Sequence, residues 1–201
     1  MQKFRRICVY CGSSPGTLPI YKQQALGLGQ TLANQGIELV YGGGNVGLMK
    51  AVADGALQAG GQVIGVIPRK LMDLELAHPG IQQIHITESM HQRKYLMAQL
   101  SDGFIAMPGG WGTLEELSEV TTWTQLNYHH KAVGLLNVNG YYDKLLEWVA
   151  TANQNGFIRD PHVGLLISDT DPLQLLQKMA NSTFPDLVEA LNLKSSSPRP
   201  R

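Results

Sequence analysis

The sequence predicts one doubly wound α/β domain, with a mainly parallel sheet and helices on both faces. Three observations carry that prediction. Short β-rich apolar runs alternate with helical patterns along the chain, the rhythm of strands joined by helical crossovers. The runs are almost continuously apolar, as strands covered on both sides have to be. Two clusters of glycine stand directly after such runs, where a strand hands over to a helix and a ligand can approach the backbone.

Taken in order, Ile7 to Cys11 is the first run, and Cys11-Gly12-Ser13-Ser14 leaves its end with hydroxyls and backbone amides. A helix opens at Pro19, a first-turn residue, and stops at Gly36. Ile37 to Tyr41 is the second run; the helix beginning near Val46 ends at Gly60-Gly61, before the third run, Val63 to Ile67. Arg69 to Ile86 mixes proline with polar residues, so it reads as a long irregular excursion over the carboxyl edge of the sheet. A helix follows near Ser89, with Ser89-x-x-Gln92 as its cap. Phe104 to Met107, Ala132 to Val138 and Val163 to Ser168 are the remaining runs, and Asp171 before Pro172 opens a last helix. The implied topology is Rossmann-like. From Lys194 the chain reads Lys-Ser-Ser-Ser-Pro-Arg-Pro-Arg, a disordered tail at 194–201 behind a single domain spanning 1–193.

A length of 201 residues, 43% of them hydrophobic and 16% charged, suits one globular core and excludes a disordered chain. Sixteen Lys+Arg balance sixteen Asp+Glu. No global field therefore draws the chain to nucleic acid or to an anionic membrane, and any anion site has to be local. No run approaches 18 apolar residues, and the apolar stretch after the basic start is too short for a signal peptide, so the expected location is the cytoplasm. Cys8 and Cys11 form the one C-x-x-C pair. A structural zinc needs four ligands and a redox pair opens a helix, whereas this pair lies in a strand, so both read as packing residues.

The first glycine cluster, Gly42-Gly43-Gly44-Asn45-Val46-Gly47, satisfies G-x-G-x-x-G. A dinucleotide site would also place an acid at the end of the next strand, where Gly65-Val66-Ile67-Pro68 offers none, and the loop follows the second run instead of the first. Phosphate approach and plain turn geometry both remain open for it.

The second cluster is Pro108-Gly109-Gly110-Trp111-Gly112-Thr113-Leu114-Glu115-Glu116, opening a helix that runs to about Asn127. Amides at Gly110, Gly112 and Thr113 face an anion at the positive end of a helix, and the paired acids suit sugar hydroxyls. One loop of this kind grips a ribose phosphate. Thr113-x-x-Glu116 is also the pattern of a capping box, in which both side chains satisfy helix amides and do no chemistry.

These motifs, Gly42 to Met49 followed by Pro108 to Glu116, resemble the LOG ("lonely guy") family of cytokinin riboside 5'-monophosphate phosphoribohydrolases, whose hallmark is P-G-G-x-G-T-x-x-E. Members have carried the label lysine decarboxylase, but no pyridoxal-lysine signature accompanies the motifs. The resemblance spans nearly the whole chain. It implies hydrolysis of the N-glycosidic bond of an N6-substituted or plain adenosine monophosphate to free base and ribose 5-phosphate, in a homodimer and without a cofactor or metal. Arg93 and Glu116 are its implied catalytic pair. Lys94, the loop Gly109, Gly110, Trp111, Gly112, Thr113, Leu114 and Glu115, together with Thr122, hold substrate in this reading, and Glu75 meets the base. Ser13, Gly43 and Gly44 line the same edge, and Met49, Leu71, Met90 and Met97 suit an apolar N6 group.

Glycosidic cleavage passes through an oxocarbenium-like centre, beside which a carboxylate such as Glu116 belongs. Arg93 stays protonated at any working pH and therefore serves as a fixed charge. Apart from the resemblance, Arg93 reads as an exposed residue on the helix that begins near Ser89, and Lys94 reads the same way. The alternative to a hydrolase is a nucleotide-binding or carrier protein, since a phosphate loop binds without cleaving.

Overall fold

The computed structural model describes residues 4–72 and 77–184. Seven strands form one sheet: β1 (Arg6–Tyr10), β2 (Glu38–Tyr41), β3 (Val63–Pro68), β4 (Gln83–Thr87), β5 (Gly103–Ala106), β6 (Ala132–Leu136) and β7 (Leu166–Asp169). Their order is β4-β3-β2-β1-β5-β6-β7, and every pairing is parallel. The order reverses between β1 and β5. That reversal opens a crevice at the carboxyl ends of these two strands, where ligands bind in open α/β sheets. Register keeps the ends level: Val9 lies beside Tyr41 and Tyr10 beside Ala106.

Helices cover both faces, as the continuous apolar strands require. Against one face pack α1 (Pro19–Asn34), α2 (Gly47–Gln58) and α8 (Pro172–Ala180), with Leu28, Leu32, Val52, Leu175 and Met179 buried among Ile7, Val9, Leu39 and Val63. Against the other pack α4 (Met90–Leu100), α5 (Trp111–Gln125) and α6 (Asp143–Gln154), through Met97, Leu117, Val120 and Leu146, which meet Cys8, Tyr10, Val40 and Phe104. Alternate residues of β1 thus feed two cores. Two four-residue helices, α3 (Arg69–Met72) and α7 (Asp160–Val163), complete the α-helices of the described residues.

The caps act as their sequence implies. Pro19 lies in the first turn of α1, Asp171 accepts from the Gln174 amide, and Ser89 accepts from the Gln92 amide. Three expectations need correction. The excursion from Arg69 to Ile86 is not irregular throughout, because it contains α3 and the strand β4. β4 is an edge strand with β3 as its one neighbour, and its half-exposed residues carry no continuous apolar run. The last run is shifted: Asp160–Val163 is a helical turn and the strand is Leu166–Asp169. The run from Ala132 ends as a strand at Leu136, and Val138 opens a short 3-10 turn. The tail expected at 194–201 lies outside the described residues. Cys8 and Cys11 are free and buried, and burial pushes both thiols well above their ordinary range.

Candidate active site

Three loops meet at the crevice, and backbone hydrogen bonds stitch them together. The Gly12 amide donates to the Pro108 carbonyl at 3.0 Å, and the Leu48 amide donates to the Gly12 carbonyl at 3.0 Å. Gly47 sits at φ +56, and a Cβ there would stand 2.3 Å from the Ser13 carbonyl. Gly42 leaves room for an arginine, since a Cβ there would stand 2.0 Å from Arg93 Nη2. The first glycine cluster therefore serves close approach within the protein. Gly110 and Gly112 differ: a Cβ at either would meet nothing within 4 Å. Internal packing does not ask for glycine there, so the open space in front of the α5 amino terminus is the feature those two positions preserve.

Arg93 is buried, at 8% exposure, although the Ser89 cap forms as the sequence implies. Its Nε donates to the Val66 carbonyl at 2.9 Å, Nη1 to Glu116 Oε1 at 3.0 Å and Nη2 to the Gly42 carbonyl at 3.3 Å. One side chain thus ties the ends of β2 and β3 to α5. Glu116 is equally buried, at 8%. Burial pushes its carboxyl up to about 7, against the lowering pull of the Arg93 guanidinium. The capping-box reading fails on position. Gly110 is the residue before the helix, and Thr113 already lies inside its first turn, so it cannot cap.

Lys94 is also buried but points elsewhere. Its ammonium donates to Glu115 and, at 3.1 Å, to Glu119 Oε1. Burial disfavours the charge, yet the two carboxylates outweigh it and raise the pKa above the ordinary lysine value. This amine stays protonated and locks α4 to α5.

A cleft of about 300 Å³ lies above the Arg93–Glu116 pair. Of the residues expected at the site, Ser13, Met49, Arg93, Gly110, Trp111, Gly112, Thr113, Glu115 and Glu116 line it. Leu71, Met90 and Met97 line it too, which supplies the expected apolar wall. Gly109 and Leu114 face a neighbouring pocket beside Tyr141 and Tyr142. Gly43 and Gly44 lie behind the loop, where the Gly43 carbonyl accepts from the His78 amide and Gly44 bridges to Ala77. Thr122 does not join the cleft; its hydroxyl donates to the Ser118 carbonyl, and it lines a separate pocket with Trp148 and His162. Glu75 lies outside the described residues. Sequence reasoning missed that the Gly42 and Val66 carbonyls hold Arg93, because backbone acceptors carry no residue signature. It also gave Cys11 a packing role alone, whereas Cys11 lines the cleft.

Residues 49–179 match the family described as "Possible lysine decarboxylase". The chain is 50% identical over 177 residues to the "Probable cytokinin riboside 5'-monophosphate phosphoribohydrolase LOGL5" of Oryza sativa subsp. japonica, covering 88% of this chain and 72% of that protein. It is 48% identical to the cytokinin riboside 5'-monophosphate phosphoribohydrolase LOG1 of Arabidopsis thaliana, covering 88% and 83%. The chain belongs to the LOG family.

Solved structures agree on the fold. The molybdenum cofactor carrier protein of Chlamydomonas reinhardtii superposes with a TM-score of 0.67 at 22% identity, over 86% of this chain and 94% of that one. The molybdenum cofactor binding protein of Rippkaea orientalis gives 0.65 at 27% identity, over 86% and 95%. The decarboxylase label of the LOG family finds no support in this site. Among the described residues no lysine lines the cleft, and the nearby Lys94 is held protonated by two carboxylates. What the LOG-family cleft does present is one buried carboxyl, one buried guanidinium and an unobstructed helix amino terminus.

Proposed function

We propose that this protein hydrolyses the N-glycosidic bond of N6-substituted or plain adenosine 5'-monophosphates, releasing the base and ribose 5-phosphate. The observation that carries the reading is the buried Arg93–Glu116 pair under the open amino terminus of α5. The first-turn amides around Gly110, Gly112 and Thr113 receive the phosphate. Glu116 lies where it can meet the ribose hydroxyls and a water on the sugar. As the bond from C1' to the base nitrogen breaks, positive charge grows on the ribose and the carboxylate opposes it. The water oxygen bonds to C1' as the bond to the base nitrogen breaks; one water proton passes to Glu116, the leaving nitrogen takes a proton from solvent, and Glu116 returns its proton to solvent, so one water and no net proton is consumed. Arg93 keeps Glu116 in place and holds a fixed positive charge under the cleft.

In this reading Ser13, Trp111, Glu115 and Met49 contact substrate directly, while Lys94, Gly43, Gly44, Gly109 and Leu114 shape the loops that do so. Glu75 keeps the contact role that the family resemblance implies, whereas Thr122, which faces another pocket, takes none in this reading. The apolar wall of Met49, Leu71, Met90 and Met97 favours a prenyl-type N6 group over plain adenine. No cofactor or metal enters. Among the described residues no helix is long and apolar enough to cross a membrane, and we place the protein in the cytoplasm, where thiols such as Cys8 and Cys11 stay reduced. A homodimer fits the large exposed aromatic side chains Tyr95, Tyr128 and Trp148.

Chromatography of AMP and isopentenyladenosine monophosphate incubated with the protein tests the reaction. The wild type should release free base and ribose 5-phosphate, and Glu116→Gln should lower kcat by at least about a hundredfold with the fold retained. Tight nucleotide binding without release by the wild type would replace the hydrolase with a carrier.

A further inference from the structure

The chain after β6 turns sharply and delivers two tyrosines to the back of the Pro108–Gly110 loop. Asn139 and Gly140 take left-handed backbone conformations, φ 52 and φ 70. Asn137 braces the turn: its Oδ1 accepts from the Tyr142 amide at 2.7 Å and its Nδ2 donates to Asp143 Oδ1 at 2.7 Å. The Tyr142 hydroxyl then donates to the Met107 carbonyl at 2.6 Å, and the Tyr141 hydroxyl to the Gly109 carbonyl at 2.5 Å. The two rings pack edge to face, with centroids 5.1 Å apart, and Tyr21 supports Tyr141 from the far side at 6.1 Å.

The two bonds look alike and differ in consequence. The carbonyl of Met107 is followed by Pro108, which has no N–H, so the Tyr142 bond aims no amide. The carbonyl of Gly109 is followed by the N–H of Gly110, and in a trans peptide these two groups point in opposite directions. Tyr141 and Gly109 line the pocket behind the loop and a second hollow shared with Gly12, Ser13 and Ser14, whereas of the three only Gly110 also lines the catalytic cleft. The Gly109–Gly110 peptide joins two residues without side chains and is the unit of the loop with the least resistance to rotation. Turned over, it would present a carbonyl oxygen to the cleft in place of an N–H.

We propose that Tyr141 is a positioning residue that locks the Gly109–Gly110 peptide with its N–H toward the substrate phosphate. The inference rests on the phosphate placement proposed above and extends it to a side chain outside the cleft. Tyr141 is 44% exposed, so removal of its hydroxyl leaves the core undisturbed. Tyr142 supplies the internal comparison, being buried and bonded to a carbonyl that directs no amide.

The test compares Tyr141→Phe, Tyr142→Phe and wild type in steady-state kinetics, in titration calorimetry with ribose 5-phosphate and with adenine, and in thermal melts. For Tyr141→Phe the KM for the nucleotide and the Kd for ribose 5-phosphate should each rise about tenfold, the scale of one hydrogen bond to a charged group. Its kcat should stay within about twofold and its adenine affinity should not change. Tyr142→Phe should lower Tm and leave the ribose 5-phosphate Kd unchanged. An unchanged ribose 5-phosphate Kd in Tyr141→Phe overturns the proposal, as does an equal rise in both variants. If the wild type releases no base, the hydrolase reading fails, and the calorimetric comparison still decides the role of Tyr141. A wild type that binds neither nucleotide nor ribose 5-phosphate overturns both.

Discussion

Glu116 and Arg93 depend on each other for their chemistry. The carboxyl sits at about pKa 7 because burial raises it more than the guanidinium lowers it. A base has to be ionised to work, so kcat/KM should fall as pH drops below about 7, with a slope approaching one. Arg93→Met removes the lowering influence, and the acid limb should move to higher pH while the rate falls. A rate that instead rises as pH drops through 7 would show that Glu116 acts protonated. The same shift is a statement about stability. The folded-state pKa lies above the ordinary value of 4.5, so the contribution of Glu116 is full below that pH and is lost as pH rises through about 7. Glu116→Gln should therefore gain on the wild type by up to about 3 kcal/mol between pH 4.5 and pH 8, read from denaturant midpoints at the two pH values.

At the scale of elements, the site depends on how closely helices approach one another. α1 and α2 cross through Gly29 and Gly55: a Cβ at Gly29 would stand 2.1 Å from the Val52 carbonyl, and one at Gly55 2.1 Å from the Leu26 carbonyl. Both obstacles are backbone, which cannot swing aside. Gly29→Ala should cost about 1–3 kcal/mol, the range for an overfilled core, visible as a lower urea midpoint at unchanged m-value. α2 starts at the glycine loop that holds Arg93, so the variant should also raise the KM for nucleotide. On the other face, Lys94 joins α4 to α5 through Glu115 and Glu119. That link keeps Arg93 and Glu116, one on each helix, within hydrogen-bonding distance.

For the whole molecule, the reversal of strand order between β1 and β5 brings three strand ends to one crevice. The charge balance of sixteen against sixteen leaves no net repulsion to oppose association of two copies. Sedimentation equilibrium should return twice the chain mass of 22.0 kDa. A monomer at micromolar concentration would remove the homodimer from the proposed function.

Periodicity and glycine placement in the sequence determined the parallel sheet, its two helical layers and the edge where the loops gather. A strand covered on both faces announces itself by a continuous apolar run, and a helix by its cap. β4 escaped notice because an edge strand half exposed to water has no such run. The family resemblance also marked Arg93 and Glu116, but their separation of 23 residues said nothing about contact. Only the tertiary structure decided that Arg93 is buried and paired, that Lys94 serves as a strut between helices, and that Thr122 faces another pocket. Ser89 caps α4 whichever way Arg93 points, so local pattern could not separate a buried arginine from an exposed one. Burial and pairing arise from elements far apart in the chain, and their energies depend on packing that no local window of sequence contains.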